Sequence, residues 1–451
     1  MQYVTARGLL LTLAARPHRL AFYAEPRTMA GGWVHTAPMG RGITTMYTFR
    51  TAFVGLTLLS STTLVRADVI TDWTQTALDV MRAVNVAGNP WTRSLAILHV
   101  SMADSVNAVE NRYERFTPGI AADPNASAEA AAAGAAREIL MRQYPGQKAR
   151  IDTAFATTLE KLPDSPARAA GIALGEKVAA MVFTDRQNDD TNVPDTYRPM
   201  TRPGVWVPTT PPLFPQYATA KPWGMKSASQ FRPGPPPKLS SALYARDYNE
   251  TKEFGGVKSV KRNDAQSDAV RFWTQANLGP AWYQAATQLS GQKGLGLADN
   301  ARLFALLSMG LANCFIIDWD AKFTYNFWRP VTAIRNGDQD GNDATERDAG
   351  WVPLNATPMH PEYPSQAGIN AGAAGGVLES VFGTGPASFT ATDIGDARLQ
   401  RRFTSVRQMV EEHEEVRIWG GIHFRNSLKV GESMGRKIAD HLVANYLKPA
   451  R

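Results

Sequence analysis

The sequence predicts an all-α protein, a bundle of helices that carries one binding site and is crossed by a long proline-rich surface loop. Three observations predict it. Apolar residues recur at steps of three and four along most of the chain from Asp72 to Tyr446. No series of alternating strands and no internal repeat interrupts them. One stretch, from Asp185 to about Leu239, is rich in Pro, Thr, Gly and Trp and has no helical period.

The elements follow in order. Asp72 to about Val109 reads as largely helical, with Leu95, Leu98, Met102, Val106 and Val109 forming an apolar stripe. Ala126–Tyr144 is alanine-rich and has high helix propensity. Ala149–Leu162 and Pro166–Phe183 are two further helices. In the Pro-rich stretch, Thr209-Thr210-Pro211-Pro212 and Pro233-Gly234-Pro235-Pro236-Pro237 exclude helix. Its aromatics, Trp206, Phe214, Tyr217, Trp223 and Phe231, point to a loop that wraps the body and not to a free linker. Helices return at Ser241–Phe254, Asp264–Asn277, Pro280–Ser290 and Leu297–Trp328. After a polar loop over Asn336–Gly350, three more are expected at Ser365–Phe382, Asp393–Glu415 and Asn426–Tyr446.

Composition bounds the class. With 451 residues, 44% hydrophobic and 20% charged, the chain can bury a large core. Its net charge of +7 is concentrated: residues 1–67 hold seven arginines and a single acid, Glu25, a surplus of +6. The basic balance is therefore a leader property and calls for no nucleic-acid partner. Within the leader, Met46 and Arg50 precede an apolar run from Ala52 to Leu64, and Val65-Arg66-Ala67 stands before Asp68. That order is the order of a secretory signal peptide over 46–67 and implies export, periplasmic or secreted. Residues 1–45 read as an upstream extension, and 68–451 as a single helical domain. Cys314 is the one cysteine, so no internal disulfide forms; its apolar helical setting makes it a core residue. The stretch Leu303–Ile317, broken by Ser308 and Asn313, is not read as a membrane span.

Three segments within 318–430 carry chemistry. In Lys322-Phe-Thr-Tyr-Asn-Phe-Trp-Arg329-Pro330, a helix would put Lys322 and Arg329 on one face, and Pro330 places Arg329 at a helix end. Two cations on a helix are usually a solvated face; the neighbouring Phe323, Tyr325, Phe327 and Trp328 argue for burial, and buried cations need anions. In His360-Pro361-Glu362-Tyr363-Pro364-Ser365-Gln366-Ala367-Gly368, Ser365 starts a helix whose free N–H groups and dipole favour an anion, although an ordinary cap gives the same pattern. In Arg417-Ile-Trp-Gly-Gly-Ile-His423-Phe-Arg425, Gly420-Gly421 breaks a helix and lets Arg417 and His423 turn toward one point. Together the segments would hold a tetrahedral or trigonal-bipyramidal oxyanion. Asp338-Gln-Asp340-Gly341-Asn342-Asp343 lacks the glycine position of an EF-hand loop and reads as a solvated turn.

These three segments resemble the site of the vanadium-dependent haloperoxidases and the type 2 phosphatidic acid phosphatases: Lys, six residues, Arg-Pro; Pro-Ser-Gly-His; Arg, five residues, His. The resemblance runs from about Trp73 to Leu447. It includes Leu98-His99-Val-Ser-Met-Ala-Asp104-Ser-Val-Asn107 and Gln230-Phe-Arg-Pro-Gly-Pro-Pro-Pro237, which look like a bacterial secreted branch. The resemblance implies that His423 is the axial ligand of vanadate. It also implies that Lys322, Arg329, Ser365 and Arg417 bind its other oxygens, with a backbone N–H from Gln366. The family's acid/base His falls on Ala367, and His360, seven residues upstream, is the candidate to substitute for it or to support the site from behind. The implied activity is oxidation of bromide, iodide or an organic sulfide by hydrogen peroxide. The alternatives are a phosphatase that hydrolyses a phosphate ester through a phosphohistidine at His423, with phosphate as the competing oxyanion, and a non-catalytic oxyanion binder.

Overall fold

The computed structural model describes residues 68–450, apart from 87, 209 and 275–278. The upstream extension and the signal peptide read in residues 1–67 lie outside the described residues, as does the end of the helix expected over Asp264–Asn277.

The chain opens on α1 (Val69–Ala83). Its capping box is complete: the Asp68 carboxylate accepts from the N–H groups of Ile70 and Thr71 at 3.0 Å, and the Thr71 hydroxyl accepts from the Asp68 N–H at 3.0 Å. Then come α2 (Asn89–Glu110), α3 (Ala128–Gln143), α4 (Lys148–Glu160) and α5 (Pro166–Asp185), within a residue or two of the sequence reading for α3 to α5. After the proline-rich stretch follow α6 (Ala242–Gly255), α7 (Asp264–Thr274), α8 (Pro280–Lys293) and the long α9 (Leu297–Tyr325). The last are α10 (Pro330–Arg335), α11 (Gln366–Phe382), α12 (Val406–Trp419) and α13 (Arg425–Asn445).

α9 is the axis of the bundle. Among the described residues it is the one helix long and apolar enough to cross a membrane, and 94% of its most apolar window is buried inside the protein. It packs against α2, α11 and α13. Polar joints tie α2 to its neighbours: His99, fully enclosed, bonds the Ser308 hydroxyl of α9 at 2.7 Å and the Thr74 hydroxyl of α1 at 2.9 Å. Cys314 lies in this core with its thiol pushed up by burial.

Residues 185–239 wrap as expected, with one short 3-10 turn at Pro215–Thr219. Trp206, Tyr217 and Trp223 are buried. Backbone bonds from Trp206 N–H to Asn326 O (2.8 Å) and from Trp328 N–H to Gly204 O (3.0 Å) seat the loop beside Arg329.

Two expectations are corrected. The helix expected over Asp393–Glu415 begins only at Val406; before it, β1 (Phe389–Thr392) and β2 (Gln400–Phe403) form an antiparallel hairpin with Phe389 opposite Phe403. The side chains of Gln284 and Gln288 on α8 bond the backbone of β1, which rewards the extended form over the helical one. The helix expected through Trp328 stops at Tyr325, where Asn326 takes the left-handed conformation (φ 49°).

α11 and α13 cross at backbone contact. A Cβ on Gly372 would sit 2.2 Å from Glu432 O, and one on Gly435 would sit 2.1 Å from Ile369 O. Gly368 and Gly431 are equally tight, at 2.4 Å from Leu428 O and 2.6 Å from Ser365 O. Two helices with this spacing of small residues can lock only in one register. Gly372→Ala should therefore destabilise the protein by about 1–3 kcal/mol, the usual cost of overpacking. Gly385→Ala, where a Cβ meets nothing, should be near neutral. Urea unfolding of the two variants checks this; equal midpoints would refute the close-contact argument.

Candidate functional site

Four segments converge: the end of α9 with Arg329, the turn 360–365 leading into α11, the end of α12, and the Gly420–His423 turn leading into α13. Gly421 takes φ 73° and lies against the Gly255 backbone, so the chain reverses as the glycine pair predicts. His423 and Arg417 thereby face one cavity of about 340 Å³, also lined by His360, Gln366 and Ala367.

His423 is set in both directions. Its Nδ1 lies 2.7 Å from Glu362 Oε1, and its Nε2 lies 3.1 Å from Arg329 Nη1. Arginine can only donate, so Nε2 must accept and the ring proton sits on Nδ1, pointing at Glu362. Burial holds the imidazole well below its ordinary pKa of 6.5, and the Arg329 and Lys322 charges reinforce that. A neutral ring with its Nε2 lone pair turned inward is the state that ligates an electrophilic centre.

Glu362 is the functional residue that the sequence reading quoted but gave no role. It is fully buried, and the same Oε1 also accepts the Phe424 N–H at 3.0 Å. Burial pushes its carboxyl up to about 7.

Arg329 is corrected in place. Because α9 ends at Tyr325, Lys322 and Arg329 do not share one helix face; Arg329 is instead the extended residue before Pro330, the first residue of α10. Its guanidinium donates to the carbonyls of His360 (2.9 Å) and Ile422 (2.8 Å) and approaches the His360 ring at 3.0 Å. It therefore ties the second segment to the third. Lys322 is the larger departure. Its Nζ donates to the carbonyls of Pro361 and Glu362, each at 2.9 Å, and of Pro364, with Asp318 3.7 Å away. All three ammonium protons are engaged, so Lys322 anchors the 361–364 turn and does not line the cavity. Burial lowers Lys322 to about 8 and raises Asp318 to about 7.

Ser365 occupies the N-cap position of α11, yet its hydroxyl caps nothing. It is completely buried with no hydrogen-bond partner among the described residues. Gln366 and Ala367 follow in the first turn, where helix geometry leaves N–H groups without internal acceptors. Arg417 donates Nη2 to Trp273 O at 3.0 Å, and its Nε has no partner among the described residues. No carboxylate pairs with Arg417 or Arg329 among the described residues, and both are buried. Burial lowers each to about 10, so both stay charged at neutral pH. His360 lies beneath Trp319, ring centres 4.8 Å apart, and is kept neutral mainly by burial. Its ring accepts from Arg329, and its Nδ1 also lies 3.2 Å from the Pro361 carbonyl.

This donor set fits an oxyanion. Two guanidiniums lack carboxylates, a buried hydroxyl lacks a partner, a helix start offers N–H groups, and one imidazole lone pair faces them. His423, Arg329, Arg417, Ser365 and Gln366 are the residues that would hold vanadate or phosphate. The 338–343 turn closes on itself through Thr345 and Asn342 bonded to Asp340; Asp338, Gly341 and Asp343 are exposed as expected of a solvated turn, but Asp340 is buried. Among the described residues no group of acidic, His and Cys side chains could hold a metal cation.

The chain is also similar to known proteins. Residues 302–450 match the VCPO second helical-bundle domain. The chain is 25% identical over 396 residues to a vanadium chloroperoxidase of Curvularia inaequalis, covering 68% of this chain and 64% of that protein's length. Among solved structures it is similar to a bacterial vanadium-dependent iodoperoxidase, with a TM-score of 0.71 and 24% identity over 85% of this chain and 98% of that one. It is also similar to a holo-type bacterial vanadium-dependent chloroperoxidase, with a TM-score of 0.63 and 17% identity over 84% and 93% of the two chains.

Glu362→Gln should weaken vanadate binding by roughly 10–100-fold, the usual effect of removing a carboxylate behind a ligating histidine. In the wild-type protein affinity should fall as the pH drops through about 7, where Glu362 takes up a proton, and in Glu362→Gln that dependence should flatten. Calorimetric titration with vanadate measures both. Unchanged affinity in the variant, or the same pH dependence in both proteins, would contradict the arrangement.

Proposed function

We propose that the chain is a vanadium-haloperoxidase-like, peroxidase-type enzyme that oxidises bromide or iodide with hydrogen peroxide at a vanadate held by His423. The observation that supports this is the placement of His423, its Nδ1 2.7 Å from Glu362 and its Nε2 3.1 Å from Arg329, on a cavity that Arg417 also lines. Bound vanadate would supply a Lewis-acidic centre that activates peroxide toward a halide.

The chain's own residues do the rest. Arg329 and Arg417 neutralise oxyanion charge in a site from which burial excludes water, where such charges act strongly. Glu362 holds the imidazole plane and tautomer. Lys322 fixes the turn that carries Ser365. Ala367 lines the cavity but can move no proton. His360 lines the same cavity, and its ring accepts from Arg329, which favours a role in holding that guanidinium over one in proton transfer. Proton delivery is thus the weak point of this site, and easily oxidised halides are the substrates it suits. We propose that the protein is exported, on the charged start and apolar run of residues 46–67.

The assay that tests this runs bromide or iodide with peroxide, with and without vanadate, beside an aryl phosphate. Vanadate-dependent halide oxidation is expected. Hydrolysis of the phosphate ester without halide oxidation would identify a phosphatase, and neither activity a binding protein. Ala367→His should raise turnover by roughly 10²-fold or more while leaving vanadate affinity nearly constant. His360→Ala should weaken vanadate affinity through Arg329 and leave the pH profile in place; a shifted profile would restore His360 as a proton-transfer group. For export, mass spectrometry of protein from the native host should find an N-terminus near Asp68; an intact Met1 in the cytoplasm would contradict it.

A further inference from the structure

The cavity is larger and more apolar than an oxyanion, a peroxide and a halide require. Above His423 and Arg417 its walls are Trp91, Phe214, Leu311, Phe315 and Trp319. Among the carboxamides on the cavity are Asn89, at the start of α2, and Asn370, on α11 one turn beyond Ala367. They are only 1% and 3% exposed. Neither side chain has a hydrogen-bond partner among the described residues, and one atom of each, Asn89 Nδ2 and Asn370 Oδ1, is buried outright. Buried amides without partners cost free energy unless something else meets them. Among the described residues no carboxylate lines the cavity, and Arg417 does, which disfavours a cation.

We propose that this cavity binds a small neutral aromatic molecule, one or two rings carrying a hydroxyl or N–H group, with the ring among Trp91, Phe315 and Trp319 and the polar group on Asn89 or Asn370. The size fits: pockets for small organic ligands begin at roughly 300 Å³ and are mostly apolar with a few placed polar groups. The proposal rests on the haloperoxidase reading only for its consequence. A bound ring beside the site of halide oxidation would be halogenated in place. The halide gives two electrons to hydrogen peroxide, whose O–O bond breaks. A ring C–H bond is replaced by a carbon–halogen bond. The ring proton and one proton from solvent leave with the two peroxide oxygens as two water molecules.

Phenol is the probe. Calorimetric titration into the vanadate-free protein should give saturable binding of one phenol per chain, with benzylammonium bound far more weakly. Asn370→Leu should weaken phenol about three- to tenfold, the worth of one hydrogen bond, and Phe315→Ala should weaken it as well. Thermal unfolding confirms that each variant is folded; if one is not, the other decides. No saturable phenol binding by folded wild-type protein overturns the proposal. Binding measured this way needs neither vanadate nor peroxide, so a protein that binds phenol and oxidises no halide would sink the haloperoxidase reading alone. With vanadate, bromide and peroxide, the ortho-to-para ratio of the bromophenols should differ from that made by hypobromite in free solution. An identical ratio would overturn bromination in place.

Discussion

Burial of charge governs this site. Lys322, Arg329 and Arg417 are three cations placed in a dry interior, with Asp318 and Glu362 the carboxyls nearest to hand. Unpaired burial of any of them would cost several kcal/mol. The chain meets the demand with backbone carbonyls, three around Lys322 and two around Arg329. Those carbonyls belong to the turns 360–364 and 420–423, so satisfying the cations draws the turns together. Cations and turns are consequently one unit: neither would keep its place without the other.

The glycine seam between α11 and α13 supplies the second half of that placement. With no side chains between them, the two backbones approach closely enough for the Ser365 N–H to donate to Ser427 O at 3.1 Å. The start of α11 and the turn before α13 are then fixed with respect to each other. Ser365 and His423 sit on those two ends. A side chain at Gly368 or Gly431 would act on the site from a distance, by parting the helices.

Much of this was legible in the sequence. Helical periodicity found the bundle, and the proline content of residues 185–239 found the wrap. The glycine pair before His423 announced the reversal that turns it inward. The failures have physical reasons. Periodicity could not see that Asn326 would go left-handed and end α9, because that choice is confirmed by the Lys322 carbonyl accepting from the Asn326 N–H, a tertiary-independent cap with a weak sequence signal. The hairpin at 389–403 is paid for by glutamines on α8, more than a hundred residues away. Glu362 was passed over because its spacing from His423, 61 residues, has no local period to betray it. Lys322 was assigned to the anion by its spacing from Arg329 and the resemblance that spacing carries, and neither says whether carbonyl oxygens will reach the ammonium first.

Arg329 and Arg417 lead to a thermodynamic consequence. They carry positive charge into the interior with no carboxylate paired to either among the described residues, so an anion from outside the chain would complete the charge balance of the fold. An oxyanion able to enter the cavity binds the folded state and not the unfolded one, and it shifts the unfolding equilibrium in proportion to the logarithm of its concentration over its dissociation constant. An oxyanion held there would in this sense be a structural member before it was a reagent. Two preparations of the same polypeptide, one in phosphate and one in chloride, are different thermodynamic objects.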